Sequence, residues 1–199
     1  NSSLDSEFWA SDESATNGSM TVGDVETAPG VKALSVATSS QTSGDSAVAS
    51  IDLTQSDIDA PITSDENKRY LQLVGDINTL DSGATVNVQV VDADGDYYEA
   101  SINSSADTTN ENIISTATGE GVIYQQQLGG LTLNQAGDGS FNDIESIEIE
   151  VIDGDADIEI SALNVDKMGT WDFGDRLEDT DDDDNLETVK VLEHKTGGP

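Results

Sequence analysis

The sequence contains no cysteine and a single histidine, His194. The absence of thiols excludes disulfides, thiolate zinc sites, iron–sulfur clusters and cysteine nucleophiles. One imidazole cannot supply the two or three histidine ligands of a common catalytic zinc site, and a Ser–His–Asp triad would depend on this residue alone. Aromatic residues, which generally line sugar-cleaving clefts, make up only 5% of the chain. We therefore expect no enzymatic activity.

Basic side chains are also scarce, with seven Lys and Arg residues against 41 Asp and Glu, a formal net charge of -34. Nucleic-acid binding needs a basic surface, and attraction to an anionic membrane needs one too. The sequence also has no run of 18 apolar residues, the length that spans a bilayer. We expect neither nucleic-acid binding nor direct membrane insertion.

The excess of acids coexists with a hydrophobic fraction of 35%, which is enough to build a core. Repulsion among these acids fades only when salt shortens the Debye length to a few ångströms. With 27 Asp, 14 Glu and five Lys, the composition resembles that of haloarchaeal proteins. This resemblance implies a folded protein that works in a hypersaline, extracellular environment.

Apolar residues recur with the period of β-strands. Val86, Val88 and Val90 alternate with polar residues, and Glu148 and Glu150 alternate with aliphatic ones. Short runs of this kind, separated by Gly, Ser and Asp clusters, predict about ten strands. The predicted fold is all-β, a single antiparallel jelly-roll β-sandwich with extended N- and C-terminal arms.

The composition divides the chain into an N-terminal arm (1–19), the β-sandwich (20–170) and an acidic C-terminal arm (171–199). In the first arm, an aromatic pair is either part of a loosely ordered segment or an anchor on a neighbouring subunit. In the last arm, a short alternating strand would add to a sheet edge, and we favour the edge of a neighbouring molecule over the chain's own. The predicted subunit contacts are Phe8, Trp9, Leu186, Val189 and Val191.

Two Asp-rich turns space their carboxylates two residues apart, as loops that bind a hard cation do. Asp–Gly between strands is also ordinary hairpin chemistry, which we favour, and neither turn matches the EF-hand pattern. The alternative is a structural cation such as calcium, sodium or potassium, and we expect no other cofactor. The second turn would close a long hairpin over 144–165. The candidate ligands are Asp92, Asp94, Asp96, Asp153, Asp155 and Asp157.

The body from Met20 to Val165, followed by the tail with Trp171–Leu177, resembles the small major capsid proteins of icosahedral, membrane-containing haloarchaeal viruses. These are sphaerolipovirus-like proteins with a vertical single jelly roll. The resemblance implies a structural capsid protein that forms the icosahedral shell of a virion. It also implies homo- and hetero-oligomers with a related capsid protein, and vertex proteins as further partners.

The alternative is a halophilic cell-surface or carbohydrate-binding β-sandwich module. The stretch Ile144–Lys167 is similar to the closing strands of many sugar-binding jelly rolls. Such a module would present exposed aromatic rings. Trp171 and Phe173 could form such a platform, but we favour a plug that closes the open end of the sandwich. The candidate sugar platforms are Tyr97, Tyr98, Tyr124 and Trp171.

Overall fold

The computed structural model describes residues 6–12, 18–28, 31–53, 69–105, 112–142 and 144–166. These residues form twelve strands in two stacked sheets, and the predicted all-β antiparallel sandwich is confirmed. No helix in the described part of the chain is long and apolar enough to cross a membrane.

The front sheet contains seven strands, one of which, β8, pairs in parallel with β7 at the sheet's edge. Its order across the sheet is β1 (Trp9–Asp12), β4 (Ser46–Asp52), β11 (Ile144–Ile152), β6 (Thr85–Asp92), β7 (Tyr97–Asn103) and β10 (Leu133–Asn134), with β8 (Ile113–Ser115) beside β7. The back sheet contains five strands. Its order is β2 (Ser19–Ala28), β3 (Val31–Ser39), β12 (Ala156–Asp166), β5 (Tyr70–Leu80) and β9 (Glu120–Gln127).

The core lies between the sheets and is built by the alternation seen in the sequence. Val86, Val88 and Val90 are 0% exposed because every second side chain of β6 points toward the back sheet. Ile158 and Ile160 of β12 face them from the other side, each 1% exposed. The period of two also fixes the opposite face: the polar residues between these valines point away from the core.

The N-terminal aromatic pair packs within this chain. Trp9 is 7% exposed, opens β1 opposite Ile51 and belongs to the core, while the partly buried Phe8 packs against the same cluster. Burial of Trp9 thus needs no second molecule, and its contact with a neighbouring subunit stays a prediction. The predicted contacts Leu186, Val189 and Val191 lie outside the described residues.

The hairpin predicted over 144–165 is wrong. Strand β11 pairs with β4 and β6 in the front sheet, whereas β12 pairs with β3 and β5 in the back sheet. The connection around Gly154 carries the chain from one sheet to the other. This crossing lets the aliphatic rows of both strands bury against one core from opposite sides, which two strands of the same sheet could not do.

Candidate functional site

The outer face of the front sheet carries two rows of polar side chains on its three middle strands. Strand register places Gln89 of β6 opposite Glu99 of β7 on one side and Glu148 of β11 on the other. The next row places Asn87 between Ser101 and Glu150. We call these residues the polar cluster: Asn87, Gln89, Glu99, Ser101, Glu148 and Glu150.

Hydrogen bonds between side chains connect the two rows. Gln89 Nε2 donates to Glu99 Oε2 at 2.9 Å and to Glu150 Oε2 at 3.3 Å. Asn87 Nδ2 donates to the same Glu150 oxygen at 3.2 Å, and Ser101 Oγ donates to Asn87 Oδ1 at 2.8 Å. Hydrogen bonds to charged acceptors are the stronger kind, so the carboxylates hold both amides in defined orientations.

The two amides are buried although they face away from the core. Asn87 is 6% and Gln89 is 7% exposed, and both lie on a central strand between the side chains of β7 and β11. A buried amide without partners would cost about 1–3 kcal/mol. The polar cluster is therefore a fixed arrangement rather than a set of mobile surface side chains.

Several acceptors of the polar cluster remain unused. Gln89 Oε1, one oxygen of Glu150 and both carboxylate oxygens of Glu148 accept no hydrogen bond in the described part of the chain. Burial raises the pKa of Glu148, and the neighbouring charge of Glu150 raises it further. The front-sheet strands carry no Lys or Arg that could offset these charges.

Of the aromatic residues considered as sugar platforms, Tyr97 alone among the described ones lies on this outer face, at the β7 end next to the polar cluster. Its pKa is raised by burial first and then by the charges of Glu99, Glu150 and Glu148. Tyr98 is 6% exposed in the core, and Tyr124 packs against the core from the back sheet. Trp171 and Phe173 lie outside the described residues. Of the candidates that the structure describes, one ring therefore lies on this face, not three coplanar rings.

The turn between β6 and β7 gathers its three aspartates. Ligand atoms of Asp92, Asp94 and Asp96 all lie within 4.8 Å of one another, and the turn closes a true hairpin. Asp92 Oδ1 accepts three backbone N–H bonds of its own turn at 2.9 to 3.2 Å. Asp96, 0% exposed, accepts N–H bonds from Gly137 and Gly139, each at 2.6 Å. This geometry serves a hydrogen-bonded turn, and a cation here stays a prediction.

The second set of aspartates is not gathered in this way. Both oxygens of Asp155 accept backbone N–H bonds from the β3–β4 turn, at 2.8 and 2.9 Å, and Asp153 Oδ1 accepts one from the same turn at 2.7 Å. Asp157 lies on β12, where its carboxylate accepts a 3.4 Å bond from Asn78. In the described ranges, three carboxylates converge only at the first turn. Asp153 and Asp155 therefore connect the β11–β12 turn to the β3–β4 turn through hydrogen bonds.

No protein-family model and no curated protein matches the sequence. Solved structures do share the fold. A family 11 carbohydrate-binding module from Clostridium thermocellum, in complex with a β-1,3-1,4-mixed-linked tetrasaccharide, is 10% identical with a TM-score of 0.50, over 79% of this chain and 88% of that one. The structure of PfGH50B is 14% identical with a TM-score of 0.51, over 83% of this chain but 22% of that one.

The predicted capsid function is wrong. A solved structure that shares the fold over most of both chains is a carbohydrate-binding module and not a capsid protein. The sequence misled because acidic composition and strand alternation are common to any halophilic sandwich, and no diagnostic motif accompanied them. Oligomerisation and the hypersaline setting are separate questions, which the shared fold does not address, and they stay predictions.

Proposed function

We propose that this chain is a carbohydrate-binding β-sandwich module that works in brine, with the outer face of the front sheet as its binding surface. The observation that carries the proposal is the pair of amides, Asn87 and Gln89, held by carboxylates on an outward face beside Tyr97. We propose binding without catalysis.

The chemistry of the polar cluster suits a sugar. Each sugar hydroxyl both donates and accepts hydrogen bonds, and the unused oxygens of Gln89, Glu148 and Glu150 can accept from it. Carboxylate acceptors make these bonds charge-assisted and therefore stronger. The Tyr97 ring offers an apolar face with a polar tip, which suits the mixed surface of a sugar ring.

The rigidity of the polar cluster supports the proposal further. Ordering a mobile side chain on binding costs about 0.5–1.5 kcal/mol, and this cost falls when the side chain is already fixed. Asn87 and Gln89 are fixed by their bonds to Glu99, Ser101 and Glu150 before any ligand arrives. The fold shared with a family 11 module, solved with a bound tetrasaccharide, supports the same class of ligand.

Affinity electrophoresis and calorimetry against a panel of soluble polysaccharides would test the proposal at about 1 M salt, where the Debye length is about 3 Å. The panel includes mixed-linked β-glucan, agarose oligosaccharides and chitin oligosaccharides. Gln89→Ala should weaken binding at least about tenfold, equivalent to about 1.4 kcal/mol. The matched control is Asn78→Ala, which removes an amide from the outer face of the back sheet.

Asn78→Ala should leave the dissociation constant within about twofold of the wild type. Thermal melting of both variants shows whether the fold survives each substitution. Absence of binding to every polysaccharide, or an equal loss in the two variants, would contradict the proposed binding surface.

A further inference from the structure

We infer that the polar cluster prefers a glycan that carries ammonium groups, such as a polymer of glucosamine, over a neutral glycan. This inference rests on the proposed function and names the substrate class of the same surface. Three observations carry it: the unused hydrogen-bonding capacity, the charge of the surface and the position of Tyr97.

The first observation is that the polar cluster has more unused acceptors than unused donors, since one N–H of the Asn87 amide is its only donor without a partner in the described part of the chain. The amides of Asn87 and Gln89 and the hydroxyl of Ser101 already donate to other members of the cluster. Besides this N–H, the unused groups are acceptors, namely Gln89 Oε1, an oxygen of Glu150 and the carboxylate of Glu148. Although Gln89 is only 7% exposed, its unpartnered oxygen is not fully buried, so a ligand can reach it. The ligand must therefore bring donors, and an ammonium group brings three without a competing acceptor.

The second observation is uncompensated negative charge. Glu99, Glu148 and Glu150 lie on adjacent strands, with no Lys or Arg on any strand of the front sheet. The two described basic residues belong to the other sheet: Lys32 pairs with Asp24 at 3.3 Å, and Arg69 directly precedes β5. The shift of the Glu148 pKa, raised by burial and by Glu150, agrees with a carboxylate that no cation of the described residues offsets.

The third observation is the ring beside these carboxylates. Tyr97 is half-buried on β7, on the same face as Glu99 and two residues before it, and the face of a tyrosine ring attracts a cation. A ligand ammonium would meet the ring and a carboxylate together. Because contacts with partly buried charges are screened less than exposed ones, this preference would persist in brine.

The experiment compares three oligosaccharides of equal length by calorimetry at about 1 M salt and mildly acidic pH. They are a glucosamine oligomer, its N-acetylated counterpart and a mixed-linked β-glucan oligomer. The first two share one backbone and differ at nitrogen, which carries a charged ammonium group in one and a neutral acetamide group in the other. Wild-type protein should bind the glucosamine oligomer at least about tenfold more tightly than the acetylated one.

Two variants separate the site from the general attraction of a polycation to a protein of net charge -34. Glu148→Gln removes one charge from the polar cluster, and Glu159→Gln removes one from the back sheet's outer face, where the carboxylate accepts a bond from Asn78. Both variants have the same net charge. The preference should fall to within about twofold in Glu148→Gln and persist in Glu159→Gln.

Each other result has a defined meaning. Equal or tighter binding of the neutral oligomers, lost on Gln89→Ala, would overturn the ammonium preference and leave the proposed function intact. Binding of none of the three would overturn the ammonium preference, and absence of binding to the wider polysaccharide panel as well would overturn the proposed function itself. If the preference survives Glu148→Gln, or drops equally in the two Gln variants, it comes from the net charge of the protein. Either result would overturn the inference. Cooperative thermal melting of each variant confirms that both are folded.

Discussion

The two outer faces of the sandwich carry the same kind of residue pair in different surroundings. On the front sheet, Asn87 donates to Glu150 at 3.2 Å, and this asparagine is 6% exposed. On the back sheet, Asn78 donates to Glu159 at 2.9 Å, and that pair is exposed to solvent. A shorter distance therefore does not identify the more important pair, because the surroundings decide what the bond contributes.

The rest of the back face agrees with this contrast. Ile123 is 87% and its cross-strand neighbour Val74 is 38% exposed, beside the exposed acid Asp76. Water can form hydrogen bonds with every polar group on such a face. Its acidic side chains therefore contribute more to the hydration of the protein than to the stability of its fold. On the front face, the amides depend on carboxylates for their partners. The net charge of the chain says nothing about this difference, which follows from position alone.

The largest difference between the faces should appear on deleting the acceptor of each pair. Glu150→Ala leaves the buried Asn87 amide without its acceptor and takes one of two acceptors from Gln89. We expect the free energy of unfolding to fall by about 1–3 kcal/mol. Glu159→Ala, on the exposed face, should change it by less than about 0.5 kcal/mol. Urea denaturation of both variants at about 1 M salt measures the difference.

Glu150→Gln provides the control for charge. It keeps an oxygen that can accept from Asn87, so most of the lost stability should return. If Glu150→Ala and Glu159→Ala have equal effects, the front-face pair is an ordinary surface contact and the comparison between the faces does not hold.

A smaller effect should follow from the titration of Glu148. Its pKa in the folded protein is raised above the ordinary value of 4.5, so the folded state binds more protons than the unfolded state in that pH range. Stability therefore falls as pH rises through this range. Glu148→Gln should stabilise the protein at neutral pH and lose that advantage below about pH 4. Urea unfolding at several pH values measures the stability difference between Glu148→Gln and the wild type. Glu159→Gln is the control for the effect of removing one negative charge elsewhere on the surface. An advantage for Glu148→Gln that does not depend on pH would contradict the assignment.

The sequence predicted the buried rows but not the polar cluster. Alternation of Val86, Val88 and Val90 predicts a strand with one buried face, and it places Asn87 and Gln89 on the other. It does not predict that these two are buried as well. Their partners come from non-local pairing, since Asn87 and Glu150 are 63 residues apart, and strand register alone brings them together.

The Asp-rich turns show the same limit. Asp92–Asp96 and Asp153–Asp157 share their carboxylate spacing, and Asp–Gly chemistry favours a hairpin for both. The first turn is a hairpin within the front sheet, whereas the second carries the chain between sheets. Local spacing is identical, so the choice of strand partners decides the outcome. This choice also explains why three carboxylates converge at one turn only within the described chain.

The smallest effect should come from the apolar residue on the back face. Ile123→Ser removes a side chain that is 87% exposed, so little apolar area returns to water and the free energy of unfolding should change by less than about 0.5 kcal/mol. Ile149→Ala is the contrast, because this residue is 0% exposed on the inner face of the front sheet and its truncation should cost about 2–5 kcal/mol. Urea denaturation measures both, and sedimentation records the mass in solution. A large loss of stability in Ile123→Ser, together with a lower mass, would mean that another molecule covers the back face. The back face would then be an interface. It would differ from the front face because a partner molecule covers it, and not because water does.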